Sequence, residues 1–481
     1  MLRKTLSTLI VLFFSLPAAA LSPAEIAKLH KDVSPALVGV QYTWESELGR
    51  RELVGAGVVV GEDGLIMCSI AMTPIQMPDE QMKEFKILIP GDEQKEIDAI
   101  FIGRDERTGM TFIKAKEAAA EKVGDKPAAE KTGDKPAPKT VWKPVKFEDV
   151  AVAVGDDVIS VGMLPKTASY QSYTVRAMVS ANLRGELKHV LVTNEGLAAM
   201  GSPVFNAKGQ AIGWVGFQPG QRWLLNDPNP ESQLASVYAP PRTFIPTKEF
   251  SISLTDPPSE GKPLKLSWLG VAQMTGLKKE VAEYYGLTGQ PAVNVGDVIP
   301  GTPADKAGLK SKDVIVKMDG QPLERGDEPD ETAMILMKKM KQLKPGAEIT
   351  LSIISDPTKP PRDVKLTLTE RPRQENQAKR FYAEDLGFTA REIVFDDTYR
   401  RKLQADQKGV VIAMIKPSSA AQTGKLDRGD LVTKINGTAV TDVEQFKTAY
   451  QDLRKTKPRE AIVLEAIRGG SDEIIRIEPP Q

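Results

Sequence analysis

Histidine and cysteine are almost missing from this 481-residue chain: His30, His189 and Cys68 are all there are. A single cysteine excludes a disulfide framework within the chain, and so few imidazoles and thiols exclude the usual zinc sites built from such ligands. No metal and no other cofactor is expected. An excess of one charge is missing as well. Lys+Arg and Asp+Glu both number 64, so the formal net charge is zero, and nothing is available to condense on phosphates as a nucleic-acid binder requires. Long apolar runs are also absent. The stretch from Leu6 to Leu16 is broken by serines and a threonine and falls short of the roughly 20 residues that a membrane span needs. No later run is longer, so no span is expected in the mature chain.

What is present points to a multidomain globular protein. At roughly 150 residues per domain the length suggests about three domains. Hydrophobic residues at 41% and charged residues at 27% sit close to the globular average. Residues 1–20 run from Arg3 and Lys4 through the apolar stretch to Ala18, Ala19 and Ala20, the order of a secretory signal peptide. Cleavage is expected after Ala20, with a periplasmic or secreted location. A cysteine without an intramolecular partner is compatible with an oxidising compartment.

From residue 21 to about 250 the chain consists of short β-branched runs separated by Gly, Pro and Asp/Asn. Leu37 to Val40, Gly57 to Val60, Asp157 to Val161 and Gln210 to Val215 are examples. Such texture predicts an all-β barrel or sandwich. Within it, Glu121 to Ala129 is nearly repeated as Glu130 to Pro138. This Lys/Ala/Pro/Glu-rich stretch cannot bury a core, so residues 116–140 are expected to form a flexible insertion.

Pro and Gly mark boundaries at Asp256 to Gly261 and near Arg371 to Asn376. Beyond the first lies a long repeat. Lys312 to Gly320 returns as Gly429 to Gly437, about 117 residues later, each behind a Pro/Ser/Thr/Ala turn. This spacing indicates two tandem modules, 262–371 and 380–479, since solenoids repeat every 20 to 50 residues. Each module opens on an apolar-Gly-apolar stretch, Trp268-Leu269-Gly270-Val271 and Leu386-Gly387-Phe388, and carries a helix-periodic run, about 330–343 and 442–454.

These features together resemble PDZ domains. The resemblance implies that Trp268, Leu269, Gly270, Val271, Leu386, Gly387 and Phe388 line peptide sites. There the loop amides meet a terminal carboxylate and the next strand pairs with the peptide. The alternative for each module is a spacer with an occluded groove. A barrel region ahead of two such modules, behind a signal peptide, resembles the HtrA-type serine proteases. Gly55 to Met67, Gly103 to Thr108 and Gly201 to Trp214 are similar to the segments that flank that family's catalytic groups. The implied fold is mostly β, a chymotrypsin-like double β-barrel over residues 21–250 followed by two α+β PDZ domains.

The implied catalytic positions are vacant. Ala71 stands where the family has histidine, Gly109 where it has aspartate and Met200 where it has the nucleophilic serine. Acyl transfer by such a site needs a hydroxyl, an imidazole and a carboxylate, and these three residues supply none. Rescue could come from Ser202 or Cys68 as nucleophile, with Lys188 or Lys208 as base, whereas His30 and His189 lie elsewhere in sequence. The expected function is that of an HtrA-like pseudoprotease binding peptides or unfolded chains with apolar C-termini. The alternatives are an endopeptidase with a noncanonical site or a regulatory partner of an active HtrA-type protease. The resemblance further implies a trimer built through the barrel and residues about 22–45, with Tyr42 and Trp44 as candidate interface aromatics or, equally, as caps of the barrel core.

Overall fold

A computed structural model describes residues 21–91, 95–116, 140–185, 187–218, 224–229, 239–262, 264–404 and 406–480. The expected signal peptide and nearly all of the expected insertion lie outside them. Helix α1 (Pro23–Val33) opens with Ser22 and Glu25 capping each other and proline at its first turn, a combination that satisfies otherwise orphaned amides. It rests on the second barrel, where Ser34 Oγ is 2.8 Å and His30 Nε2 3.1 Å from Ser172 Oγ.

Six strands close the first barrel: β1 (Leu37–Ser46), β2 (Gly49–Val59), β3 (Leu65–Ser69), β4 (Met82–Ile89), β5 (Lys95–Asp105) and β6 (Met110–Ala115), in the order β1-β2-β3-β6-β5-β4. Closure leaves no free edge. Tyr42 lies in this core with no exposed surface, stacked 5.1 Å from Phe85, and its hydroxyl donates to the Met72 carbonyl. It therefore caps the barrel core, one of the two roles expected of that residue, and is not an interface anchor. Trp44 is half-buried, its indole N–H donating to Gln81 Oε1 at 3.1 Å.

The second barrel contains β7 (Asp157–Met163), β8 (Ser172–Leu183), β9 (His189–Asn194), β10 (Pro203–Asn206), β11 (Ala211–Trp214) and β12 (Thr243–Pro246), in the order β10-β11-β12-β9-β8-β7. Helix α2 (Thr247–Thr255) then returns to the first barrel, and Ser253 Oγ donates to Asp105 Oδ2 at 2.8 Å.

The first repeat is built from β13 (Ser267–Trp268), β14 (Met274–Gly276), β15 (Val293–Val295), β16 (Val314–Met318), β17 (Gln321–Pro322), β18 (Glu348–Ile354), β19 (Arg362–Thr367) and β20 (Thr369–Glu370). The second contains β21 (Arg380–Ala383), β22 (Phe388–Arg391), β23 (Val410–Ile415), β24 (Leu431–Ile435), β25 (Thr438–Ala439), β26 (Ile462–Arg468) and β27 (Ser471–Ile477). Each repeat packs one long helix on its sheet, α3 (Pro329–Gln342) and α4 (Val443–Thr456). Ala333, Leu336 and Met340, and likewise Val443, Phe446 and Tyr450, recur at helical spacing and are buried. The fold is thus mostly β, with two closed six-stranded barrels ahead of two α+β modules.

Candidate functional site

Two turns meet on β2, and a third is bonded to one of them. After β3 the chain forms a tight turn at Ile70–Met72 in which Ser69 Oγ accepts the Ala71 N–H at 3.2 Å. After β5 a second turn ends at Gly109, whose φ of +74° suits glycine. The Ile70 N–H donates to the Gly109 carbonyl at 3.0 Å, so Ala71 and Gly109 are brought side by side. The third turn, around Met200, reaches over from the second barrel. A Cβ added to Gly201 would lie 3.0 Å from both Cβ and O of Ala56, while one added to Gly55 would lie 2.5 Å from Met72 Sδ. The turns that carry Ala71 and Met200 therefore meet neighbouring residues of β2, Gly55 and Ala56, the Gly109 turn is bonded to the Ala71 turn, and none of Ala71, Gly109 and Met200 carries a group that titrates.

The polar groups nearby are engaged. The Ala198 N–H donates to Ser160 Oγ at 2.7 Å and the Ala199 N–H to Tyr173 Oη at 2.8 Å. Burial pushes the Tyr173 phenol above its ordinary range. Ser202 is 2% exposed, and its hydroxyl donates to the Ala199 carbonyl at 2.5 Å. Of the two carboxylates just ahead of Gly109, Glu106 pairs with Arg371 at 2.6 Å, and Asp105 is fully buried and held by Arg107 at 2.8 Å and by Ser253. Ser160, Tyr173 and Asp105 were not singled out from sequence; barrel pairing carries Ser160 and Tyr173 to the Met200 turn, whereas Asp105 opens the Gly109 turn itself, its carbonyl accepting the Gly109 N–H at 2.9 Å.

Among the remaining candidates, Cys68 lies beside this stretch of β2, its Sγ 2.9 Å from where a Cβ on Gly57 would fall. Cys68 has no exposed surface, and burial pushes its thiol far above the ordinary range. His30 faces Ser172, and the His189 ring lies 2.9 Å from the Leu187 carbonyl. Lys188 pairs with Glu324 of the first repeat at 3.0 Å, and Lys208 lies in the turn between β10 and β11. Among the described residues no cluster of His, Cys, Asp and Glu could hold a metal ion.

In the first repeat Gly270 adopts a φ of +88°, and a Cβ there would fall 2.1 Å from Thr302 Cβ. Close packing against Thr302 thus requires glycine even before any ligand is considered. Among the described residues strand β14 pairs with β15 alone, and its other edge faces α3. At the end of that edge the Gly276 N–H donates to Asp330 Oδ1 at 2.9 Å. Val271, Met274 and Met337 form a half-buried apolar margin beside it. Leu269 is a core residue, and Trp268 pairs with Thr369 and sets its ring 5.2 Å from Phe395 of the second repeat. Trp268 is therefore a wedge between the repeats. In the second repeat Leu386 and Phe388 have no exposed surface, and the Gly387 N–H donates to the Ala383 carbonyl at 2.7 Å.

The PDZ domain family matches residues 269–366 and 387–478. A curated protein of Marinomonas sp., "Probable periplasmic serine endoprotease DegP-like", is 24% identical over 415 residues, covering 84% of this chain and 75% of that protein. A protein of the same name from Rhizobium meliloti is 24% identical over 422 residues, covering 83% and 70%. Among solved structures, the HtrA-type protease AlgW with decapeptide aligns with a TM-score of 0.48 at 16% identity, covering 72% of this chain and 99% of that one.

Proposed function

We propose that this chain, which belongs to the HtrA/DegP-type serine protease family with two PDZ domains, is a non-catalytic member that holds peptides or unfolded chains. The observation that carries the reading is the set of bonds at the Met200 turn. A serine-type site needs an amide free to meet the oxyanion and a hydroxyl beside an imidazole. Here the Ala198 amide is bonded to Ser160, the Ser202 hydroxyl is bonded to Ala199, and alanine stands at the Ala71 turn. Loss of one nucleophile or base in a comparable enzyme costs on the order of 10⁶ in turnover.

Binding falls to the first repeat. Among the described residues the β14 edge has no sheet partner on the α3 side, and the margin of Val271, Met274 and Met337 suits an apolar terminal side chain. Such sites bind weakly alone, and assembly of several chains would raise avidity by ~10² to 10⁴. We assign an oligomer on the strength of the family, with the trimer as the expected form, and an active HtrA-type protease as a further candidate partner. The names of the relatives and the order of residues 1–20 favour the periplasm. Among the described residues no helix is long and apolar enough to cross a membrane.

A second reading keeps proteolysis, because the curated relatives bear the name of serine endoproteases. Incubation of the purified chain with unfolded casein separates the two. Suppressed aggregation with no cleavage and no labelling by a fluorophosphonate supports the binding reading, and labelled Ser202 defeats it. Light scattering checks assembly.

A further inference from the structure

The two repeats treat the segment ahead of their Gly loops differently. In the first, Ser267–Trp268 pairs with β20, at the end of the module, and leaves the β14 edge to α3. In the second, β21 folds back onto β22 instead, pairing Arg380 with Arg391, Phe381 with Ala390, Tyr382 with Thr389 and Ala383 with Phe388. Strand β22 is bonded to β23 along its other edge. Both of its edges are filled, one of them by the chain's own Arg380–Ala383.

A peptide added to that edge would run antiparallel to β22, end at the Gly387 loop and send alternate side chains toward the helix. Arg380–Ala383 has each of these properties. Its carbonyl at Ala383 accepts the Gly387 N–H. Ala383 is buried in the module core, and the Phe381 ring lies edge-on 5.3 Å from Tyr450 and 6.3 Å from Phe446 on α4. Tyr382, on the opposite face, points to the first barrel, where its hydroxyl is 3.5 Å from the Glu47 carbonyl. The Glu47 carboxylate in turn accepts from Thr389 Oγ1 at 2.6 Å and from Gln81 Nε2 at 3.0 Å. The strand is therefore held from both sides. The loop also carries its own carboxylate, Asp385, paired with Arg454 at 2.8 Å and bonded by the Tyr450 hydroxyl, which would repel the terminal carboxylate of a peptide seated there.

We infer that Arg380–Ala383 is a ligand held in cis by the second repeat. When it withdraws, the same groove takes an extended internal segment with an aromatic side chain two positions ahead of a small one. The inference rests on the repeats being peptide modules and is independent of whether the barrel is inert.

Hydrogen exchange on the full mature chain tests it. In the wild type, amides of 380–383 should exchange at least ~10²-fold more slowly than a free chain, alongside those of β23. With the amidated peptide Lys-Arg-Phe-Tyr-Ala as probe, Phe381→Asp should gain peptide-dependent protection over 388–391 that the wild type lacks. Protection of 462–477 reports that the variant's module remains folded. Free-chain exchange of 380–383 in the wild type overturns the proposal without reference to any variant, and so does equal peptide protection of 388–391 in both proteins. Binding at the first repeat is read separately over 274–276, so its failure is distinguishable.

Discussion

The Ser160 hydroxyl oxygen lies 2.7 Å from the amide nitrogen of Ala198 and accepts its hydrogen. Ser160 belongs to β7 and Ala198 to the turn ahead of β10, so barrel pairing turns this amide inward. A catalytic turn would present such an amide to substrate.

Restoring the three vacant groups should therefore not restore the enzyme. Ala71→His, Gly109→Asp and Met200→Ser together should leave casein hydrolysis at least ~10² to 10³-fold below that of an intact relative, the usual cost of one missing oxyanion donor. Adding Ser160→Ala and glycine at 198 should raise it. Fluorophosphonate labelling at residue 200 and casein turnover check both steps, and full activity of the triple variant would contradict the assignment.

Gly270 should prove structural as well as functional. Gly270→Ala places a methyl group against Thr302 and forces a side chain into positive φ, which should cost about 1–3 kcal/mol. Thr302→Gly in the same chain should recover part of the loss. Urea unfolding of the first repeat provides the measurement.

Lys338 on α3 and Glu249 on α2 form an ion pair with side chains only 11% and 10% exposed. Removing one partner strands the other charge. Lys338→Ala should thus weaken docking of the first repeat on the barrels by about 3–5 kcal/mol, whereas Lys338→Met with Glu249→Leu should be close to neutral. Limited proteolysis between residues 256 and 266 distinguishes the two.

Acid should loosen the second repeat through Asp397. Burial opposes its charge, but bonds from Arg391 at 2.6 and 2.9 Å and from the Val394 N–H outweigh it and hold the carboxyl below its ordinary value. A folded pKa below the unfolded value of about 3.9 means that the stabilisation is complete above about pH 4 and is lost as pH falls through the folded value. Asp397→Asn should lower stability at pH 7 and flatten the acid limb, read as hydrogen exchange over 380–391 at pH 7 and pH 3.

The order of the modules was legible in the chain because each rests on a local signal. Short β-branched runs between Gly and Asp turns mark the barrel strands. Apolar residues at helical spacing place α3 and α4 within a residue or two of the expected spans. The vacancies proposed at Ala71, Gly109 and Met200 rest on the residues found at those points and on the resemblance that aligns them. What the local signals could not settle is which strand edge meets which segment. Nothing local in the residues ahead of Leu269 and of Leu386 states which edge they meet, yet one stretch pairs with the end of its module and the other with β22. Tyr42 reads as an exposed anchor or a core residue with equal ease, and barrel closure over Phe85 makes it the latter. Hydrogen bonds across a sheet, and the burial that follows, are made between residues far apart in the chain. The amino-acid order therefore determined the modules, while tertiary pairing alone decided that the Ala198 amide is occupied and that both edges of β22 are filled.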